Sequence, residues 1–316
     1  MELNKVYQGN CMDLFKEMED ESIDCCITSP PYWQLRDYKW NGQWGLEPTF
    51  KLYLEHLWSM MNEVYRILKP TGTAWINLGD TYGTVSGSMD GAKKYKSKES
   101  DYSEESFDFK QVPSINKCLL LIPHRFAIGC IDSGWIVRND IVWAKRNGMP
   151  ESVTDRFSKK HEYFFLMVKQ EKYYFDLDAV RDKHIWADRD KRSLVKGGIR
   201  HKSGLSFSED NQYAANGVGY NEYGKNPGSV SDFWDIPTQP SSDEHYAAYN
   251  DKLIGKPIVA GCPKGGIILD PFAGTATTGC RALELGRNFI GFEGSKKFVD
   301  MGNKNLLPYI KQGQLF

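Results

Sequence analysis

A chain of 316 residues is long enough for one sizeable core, or for a core with a smaller lobe. Its 40 Lys and Arg balance 41 Asp and Glu, so the net charge of −1 excludes a polycation but not a local phosphate-binding stretch. No apolar run approaches the roughly 18–20 residues of a membrane-spanning helix, and Met1–Lys5 lacks the pattern of a secretion signal, so a cytoplasmic protein with no membrane partner is expected.

In chain order, Ile23–Thr28 is a short β-favouring run that stops at Ser29-Pro30-Pro31, because proline cannot continue a central strand. Leu54, Leu57, Trp58, Met61, Val64, Tyr65 and Leu68 recur at helical spacing, and Lys69-Pro70-Thr71-Gly72 predicts the end of that helix. Thr73–Leu78 then reads as a strand ending at Gly79-Asp80. This strand, helix, strand series predicts an α/β fold with a parallel sheet and crossover helices. Thr81 to about Ser114 is polar, and residues 83–116 read as a long surface loop. A helix is expected over Lys117–Ser133, with strands over Ile136–Ala144 and Glu162–Val168.

From residue 181 to 231 the periodicity fades into Gly, Ser, Asn, Lys and Tyr, as in an inserted recognition lobe or a flexible loop. Arg181, Lys183, Arg189, Lys191, Arg192, Lys196, Arg200 and Lys202 outweigh Asp182, Asp188 and Asp190 there. Such a segment suits phosphates, and equally a solvated charged loop. Patterning returns with a strand over Gly266–Leu269, a small-residue turn, a helix over Thr275–Leu285 and a strand over Asn288–Phe292.

The turn is Asp270-Pro271-Phe272-Ala273-Gly274-Thr275-Ala276-Thr277-Thr278. A strand, a tight turn and a helix start bring a ligand against backbone N–H groups at the carboxyl edge of a parallel sheet. Gly274 permits close approach, and Glu293, ending the next strand, is placed to hold ribose hydroxyls. Asp270 has a competing role as the cap of the turn.

These residues, together with Ser29-Pro30-Pro31-Tyr32, resemble the amino-directed DNA methyltransferases of the N4-cytosine and N6-adenine kind. The order, with the Pro-Pro-Tyr loop first and the glycine turn last, is similar to that family's permuted beta group. The resemblance extends to Trp75–Tyr82, to Arg138–Lys145, to Pro150–Ser152 with Arg156–Glu162, and to His245–Tyr249 with Lys252–Ile254. It implies a Rossmann-like, mostly parallel sheet of seven strands that binds S-adenosylmethionine. Residues 1–180 would then form the catalytic part, 181–231 the target-recognition insertion and 232–316 the cofactor part.

The resemblance assigns Asp270, Pro271, Phe272, Ala273, Gly274, Thr275, Thr277 and Glu293 to the cofactor, with Asn10 facing its adenine and Tyr249 walling its methionine end. The chain departs from the family at Asn10, usually Asp, and at Ala276, usually Gly. Ser29, Pro30, Pro31 and Tyr32 become the catalytic loop. A base amino group is a poor nucleophile because its lone pair is delocalised into the ring. Acceptors at the Ser29 side chain and the Pro30 carbonyl would draw its N–H bonds out of plane, the prolines aiming that carbonyl outward. Tyr32 would stack on a base taken out of the helix, contributing roughly 1–3 kcal/mol against a flipping cost of a few kcal/mol.

Ser before Pro-Pro-Tyr is typical of the N4-cytosine enzymes, so cytosine in double-stranded DNA is the expected target, with adenine N6 the alternative. A glutamine-directed protein methyltransferase and a non-catalytic DNA-binding module are more distant readings. Arg156, Lys145, Arg189, Arg192 and Arg200 are candidate DNA phosphate contacts, and a restriction endonuclease is a candidate counterpart. The seven cysteines include no Cys-x-x-Cys pair, which argues for reduced, buried thiols and no metal site. His161 is read as a structural residue or phosphate contact, because the amino nitrogen loses its proton readily once methylated. Trp33, Trp143 and Trp234 are read as core.

Overall fold

The structure, a computed structural model, describes residues 1–38, 40, 42–83, 115–148, 151–180, 230–238 and 251–313. Contacts divide the chain into two units, residues 1–175 with 232–316, and residues 176–231. Of the second, the described residues hold one short 3-10 turn, Asp178–Val180. No helix among the described residues is long and apolar enough to cross a membrane.

The first unit is built on one sheet. Its strands are β1 (Lys5–Gln8), β2 (Ile23–Thr28), β3 (Leu68–Leu78), β4 (Ile136–Ala144), β5 (His161–Val168), β6 (Phe233–Asp235), β7 (Ile267–Asp270) and β8 (Asn288–Glu293). Their order in space is β1-β8-β7-β2-β3-β5-β4-β6. All neighbours are parallel except β5, which runs against both β3 and β4. The three-residue β6, paired with Val142–Ala144, is a strand beyond the seven that the resemblance implies.

Both faces of the sheet are covered, so its central strands are apolar on both sides. In β2, Cys26 faces α1 (Cys11–Leu14), α2 (Phe50–Ile67) and α3 (Ile122–Asp132), while Cys25 and Ile27 face α4 (Asp251–Gly261) and its neighbours α5 (Thr277–Glu284) and α6 (Lys296–Gly313). Cys11, Cys25, Cys26, Cys130 and Cys262 are buried thiols, as expected; Cys118 is exposed. Helix α2 starts where the Thr49 side chain accepts from the Leu52 N–H (3.2 Å), and it buries Tyr53, Leu54, Leu57, Met60, Met61, Val64 and Ile67 along one stripe.

Two boundaries differ from expectation. Strand β3 begins at Leu68, so Pro70 lies inside it rather than ending the helix before it. The proline is tolerated because the β2–β3 register jumps there, from Ile23–Leu68 to Cys25–Thr73, and no ladder hydrogen bond is required of it. Helix α3 starts at Ile122 rather than Lys117. Lys117 (φ 61°) and Leu121 (φ 54°) are left-handed, Leu119 bridges to Tyr82, and Pro123 occupies the first helical turn.

Candidate active site

Strand β7 delivers Asp270 to the carboxyl edge of the sheet, where it is 2% exposed. One carboxylate oxygen accepts from the Thr28 hydroxyl (2.6 Å) and the Phe272 N–H (3.1 Å), the other from the Thr278 hydroxyl (2.7 Å). Asp270 therefore ties β2, the turn and the start of α5 together, the capping role weighed for it from the sequence.

Gly274 follows in the left-handed region (φ 52°), and its N–H donates to Glu293 Oε2 at 3.0 Å. The Ser295 N–H donates to the other Glu293 oxygen at 2.8 Å. A carboxylate has about four lone-pair sites, so each oxygen keeps room for a ligand hydroxyl. Burial pushes the Glu293 carboxyl above its ordinary value. Ala276 caps α5 at φ 64° and is fully buried. A Cβ built on Gly302 of α6 would lie 3.3 Å from the Ala276 methyl, so this methyl faces α6. Helix α5 accordingly begins at Thr277, two residues later than expected.

Pro271–Thr275, Thr277, Glu293 and Asn10 line one cavity of about 600 Å³, which also reaches Ser29–Tyr32, Asn77, Lys145 and Glu162. Its size suits a small-molecule site. Asn10 caps α1, accepting from the Met12 N–H at 3.0 Å. A cavity of this size, a turn whose backbone is open to close approach and a carboxylate with spare lone pairs fit an S-adenosyl nucleoside.

The Ser29–Tyr32 loop leaves the end of β2 across the same cavity. Pro30 is buried, and the Pro31 carbonyl is taken by the Tyr53 hydroxyl (2.8 Å). Asn77, 1% exposed at the end of β3, is oriented by donating from Nδ2 to the Tyr163 carbonyl at 3.0 Å. Its Oδ1 lies 3.3 Å from Ser29 Oγ and 3.0 Å from the Tyr32 hydroxyl. The Tyr32 hydroxyl also reaches Glu162 Oε2 at 2.7 Å. Glu162 in turn pairs with Lys145, whose ammonium sits 4.4 Å from the centre of the Trp143 ring. Burial, then the Glu162 charge, holds the Tyr32 phenol well above its ordinary value, so it stays a donor.

Asn77 and Glu162 were singled out by no spacing in the sequence. The one signal was a buried amide in the otherwise apolar Trp75–Leu78 run. Lys145, a candidate phosphate contact, lies within the cavity wall in the Glu162 pair. Arg156 pairs with Glu151 and lies over the Tyr82 ring at 3.9 Å. Arg189, Arg192, Arg200 and Tyr249, with the segment around it, lie outside the described residues. Trp33, Trp143 and Trp234 are buried core residues, as expected. His161 packs edge-on against Tyr163 (5.3 Å), and burial, then Lys159, lowers its imidazole from the ordinary 6.5.

A profile of the family described as DNA methylase matches residues 23–304. The chain is 30% identical to the type II methyltransferase M.Cfr9I of Citrobacter freundii, over 97% of this chain and 89% of that one. It is likewise 30% identical to the type II methyltransferase M.SmaI of Serratia marcescens, over 96% and 90%. Among solved structures, the cytosine-N4-specific PvuII DNA methyltransferase superposes with a TM-score of 0.59 at 16% identity, covering 97% of this chain and 91% of that one. TTHA0409 of Thermus thermophilus, described as a putative DNA modification methylase and complexed with S-adenosyl-L-methionine, gives 0.58 at 18%, covering 97% and 94%.

Proposed function

The chain belongs to the N6/N4 DNA methylase family and is an S-adenosylmethionine-dependent DNA methyltransferase; from that premise we propose that it methylates the exocyclic N4 amino group of a cytosine flipped out of double-stranded DNA. The observation that carries this reading is the hydroxyl at position 29, set beside the Pro30 carbonyl at the wall of the cavity that the glycine turn and Glu293 also line. Within the family that the sequence resembles, a serine in this place is typical of the N4-cytosine enzymes.

S-adenosylmethionine supplies an electrophilic methyl group on sulfur and leaves as S-adenosylhomocysteine. Glu293 would hold its ribose hydroxyls, Asn10 would face its adenine, and the Asp270–Thr277 turn would line the rest of the site. Tyr32 offers a ring face to the flipped base. Ser29 Oγ and the Pro30 carbonyl accept the two amino hydrogens, which localises the nitrogen lone pair for attack on the methyl carbon. The new nitrogen–carbon bond leaves that nitrogen acidic, and its extra proton passes to water.

Residues 181–231 are proposed as the target-recognition insertion, with Arg189, Arg192 and Arg200 on DNA phosphates together with Arg156. The enzyme is proposed to work in the cytoplasm beside a restriction endonuclease of the same site, by likeness to the type II relatives. Methylating DNA, digesting it to nucleosides and identifying the product tests the target. N4-methylcytosine is expected, and N6-methyladenine alone would overturn cytosine.

A further inference from the structure

The Tyr32 hydroxyl has one proton and two acceptors within reach, Asn77 Oδ1 at 3.0 Å and Glu162 Oε2 at 2.7 Å. Ser29 has one proton and shares one of these acceptors, Asn77 Oδ1 at 3.3 Å, with the Tyr32 oxygen also within its reach. A charged acceptor at the shorter distance wins the phenolic proton. Asn77 Nδ2 is already committed to the Tyr163 carbonyl, so the amide cannot turn to offer a donor instead. If Tyr32 donates to Glu162, Asn77 Oδ1 is left for the Ser29 proton. The Ser29 oxygen then presents only lone pairs to the cavity.

We propose that Glu162 is a positioning residue that sets this proton order, keeping Ser29 an acceptor for the amino group of the target base. It rests on the reading of Ser29 as that acceptor. Without Glu162 the phenol turns to Asn77 Oδ1, which then serves two donors at once. The Ser29 bond, already the longer at 3.3 Å, weakens, and its proton is freer to point toward the cavity, where it meets the N–H bonds of the substrate with a like-signed dipole. Lys145, just past the end of the neighbouring strand, pairs with Glu162 and holds the carboxylate in place. Sequence spacing is silent on this, since Glu162 and Tyr32 are 130 residues apart.

The test is a cycle on the full chain with duplex DNA, reading single-turnover methylation and, separately, calorimetric affinity for S-adenosylhomocysteine. Glu162→Ala is expected to slow methylation on the order of tenfold or more, the scale of one lost charge-assisted hydrogen bond, with cofactor affinity unchanged. Adding Tyr32→Phe removes the competing proton, so the double variant is expected to methylate faster than Glu162→Ala alone. Glu162→Gln, whose amide oxygen still accepts from Tyr32, is expected to recover most of the loss.

Equal slowing by Glu162→Ala in the Tyr and Phe backgrounds would overturn the proposal, as would a Gln variant no better than Ala. Should Ala leave Lys145 unpaired and unfold the chain, Glu162→Met with Lys145→Met removes both charges at similar volume and carries the same cycle. Ser29→Ala separates the two readings. Full activity there sinks the acceptor role itself, whereas loss there with none from Glu162→Ala sinks only the positioning.

Discussion

The Thr28 hydroxyl donates to Asp270 Oδ1 at 2.6 Å, joining the last residue of the strand that leads into the Ser29–Tyr32 loop to the last residue of the strand that leads into the glycine turn. Both residues are buried, so water cannot replace either partner.

Asp270→Ala strands two hydroxyls and one backbone N–H, and is expected to destabilise the protein by about 2–4 kcal/mol. Thr28→Val removes one donor and is expected to cost about 1 kcal/mol. Urea unfolding measures both. Calorimetry with S-adenosylhomocysteine should show lost affinity for the Asp270 variant and near-normal affinity for the Thr28 variant.

Gly79 lies against Tyr32, where a Cβ would stand 2.6 Å from the ring. Gly79→Ala is expected to displace that ring and slow methylation by on the order of 10²-fold, the scale of a 1 Å misplacement. Cofactor affinity should hold. Unchanged methylation would mean the ring position is not under this constraint.

Ala276 stands where the family usually has glycine, in a backbone conformation that disfavours a side chain by roughly 1–2 kcal/mol. Its buried methyl and the smaller entropy of the unfolded chain offset much of that. Ala276→Gly is therefore expected to change stability by less than about 1 kcal/mol in a urea unfolding comparison. Because the methyl faces α6, affinity for S-adenosylhomocysteine is expected to stay the same. A gain in affinity would show that the methyl crowds the cofactor.

Glu293 has a folded-state proton affinity above its ordinary 4.5, chiefly through burial. Its ionisation thus costs stability in the free protein. That cost is absent below pH 4.5, grows toward the raised value and is complete above it. Cofactor affinity, which uses the ionised form, is expected to fall as pH drops through the raised value. Calorimetry across pH should show this for the native enzyme and a flat, weaker profile for Glu293→Gln.

Much of this arrangement was legible in local pattern. Ile23–Thr28 is a strand with the expected bounds because a β-favouring run meets Ser29-Pro30-Pro31. The reach of β3 back through Pro70 was not, because tolerance of that proline depends on a register jump against β2. Ala276 as a left-handed cap was hidden because alanine is a good helix former, whereas here its N–H closes a turn onto the Ala273 carbonyl at 2.8 Å. The Ser29–Asn77–Tyr32–Glu162 array was the least legible. Its members come from three segments, and only the pairing of β3 with β5 brings Asn77 and Glu162 together on the Tyr32 hydroxyl.

The single reversed strand shapes how this enzyme tolerates change. Because β5 runs backwards, its first residues, not its last, stand at the edge where β2 and β7 end. Glu162 is therefore supplied by chain arriving at the sheet, whereas the Ser29–Tyr32 loop, Asn77 and the Asp270 turn stand where β2, β3 and β7 end. A residue added or lost before His161 would shift the support under Tyr32 and leave the Asp270 turn untouched. The support beneath Tyr32 can thus change while the Asp270 turn stays as it is.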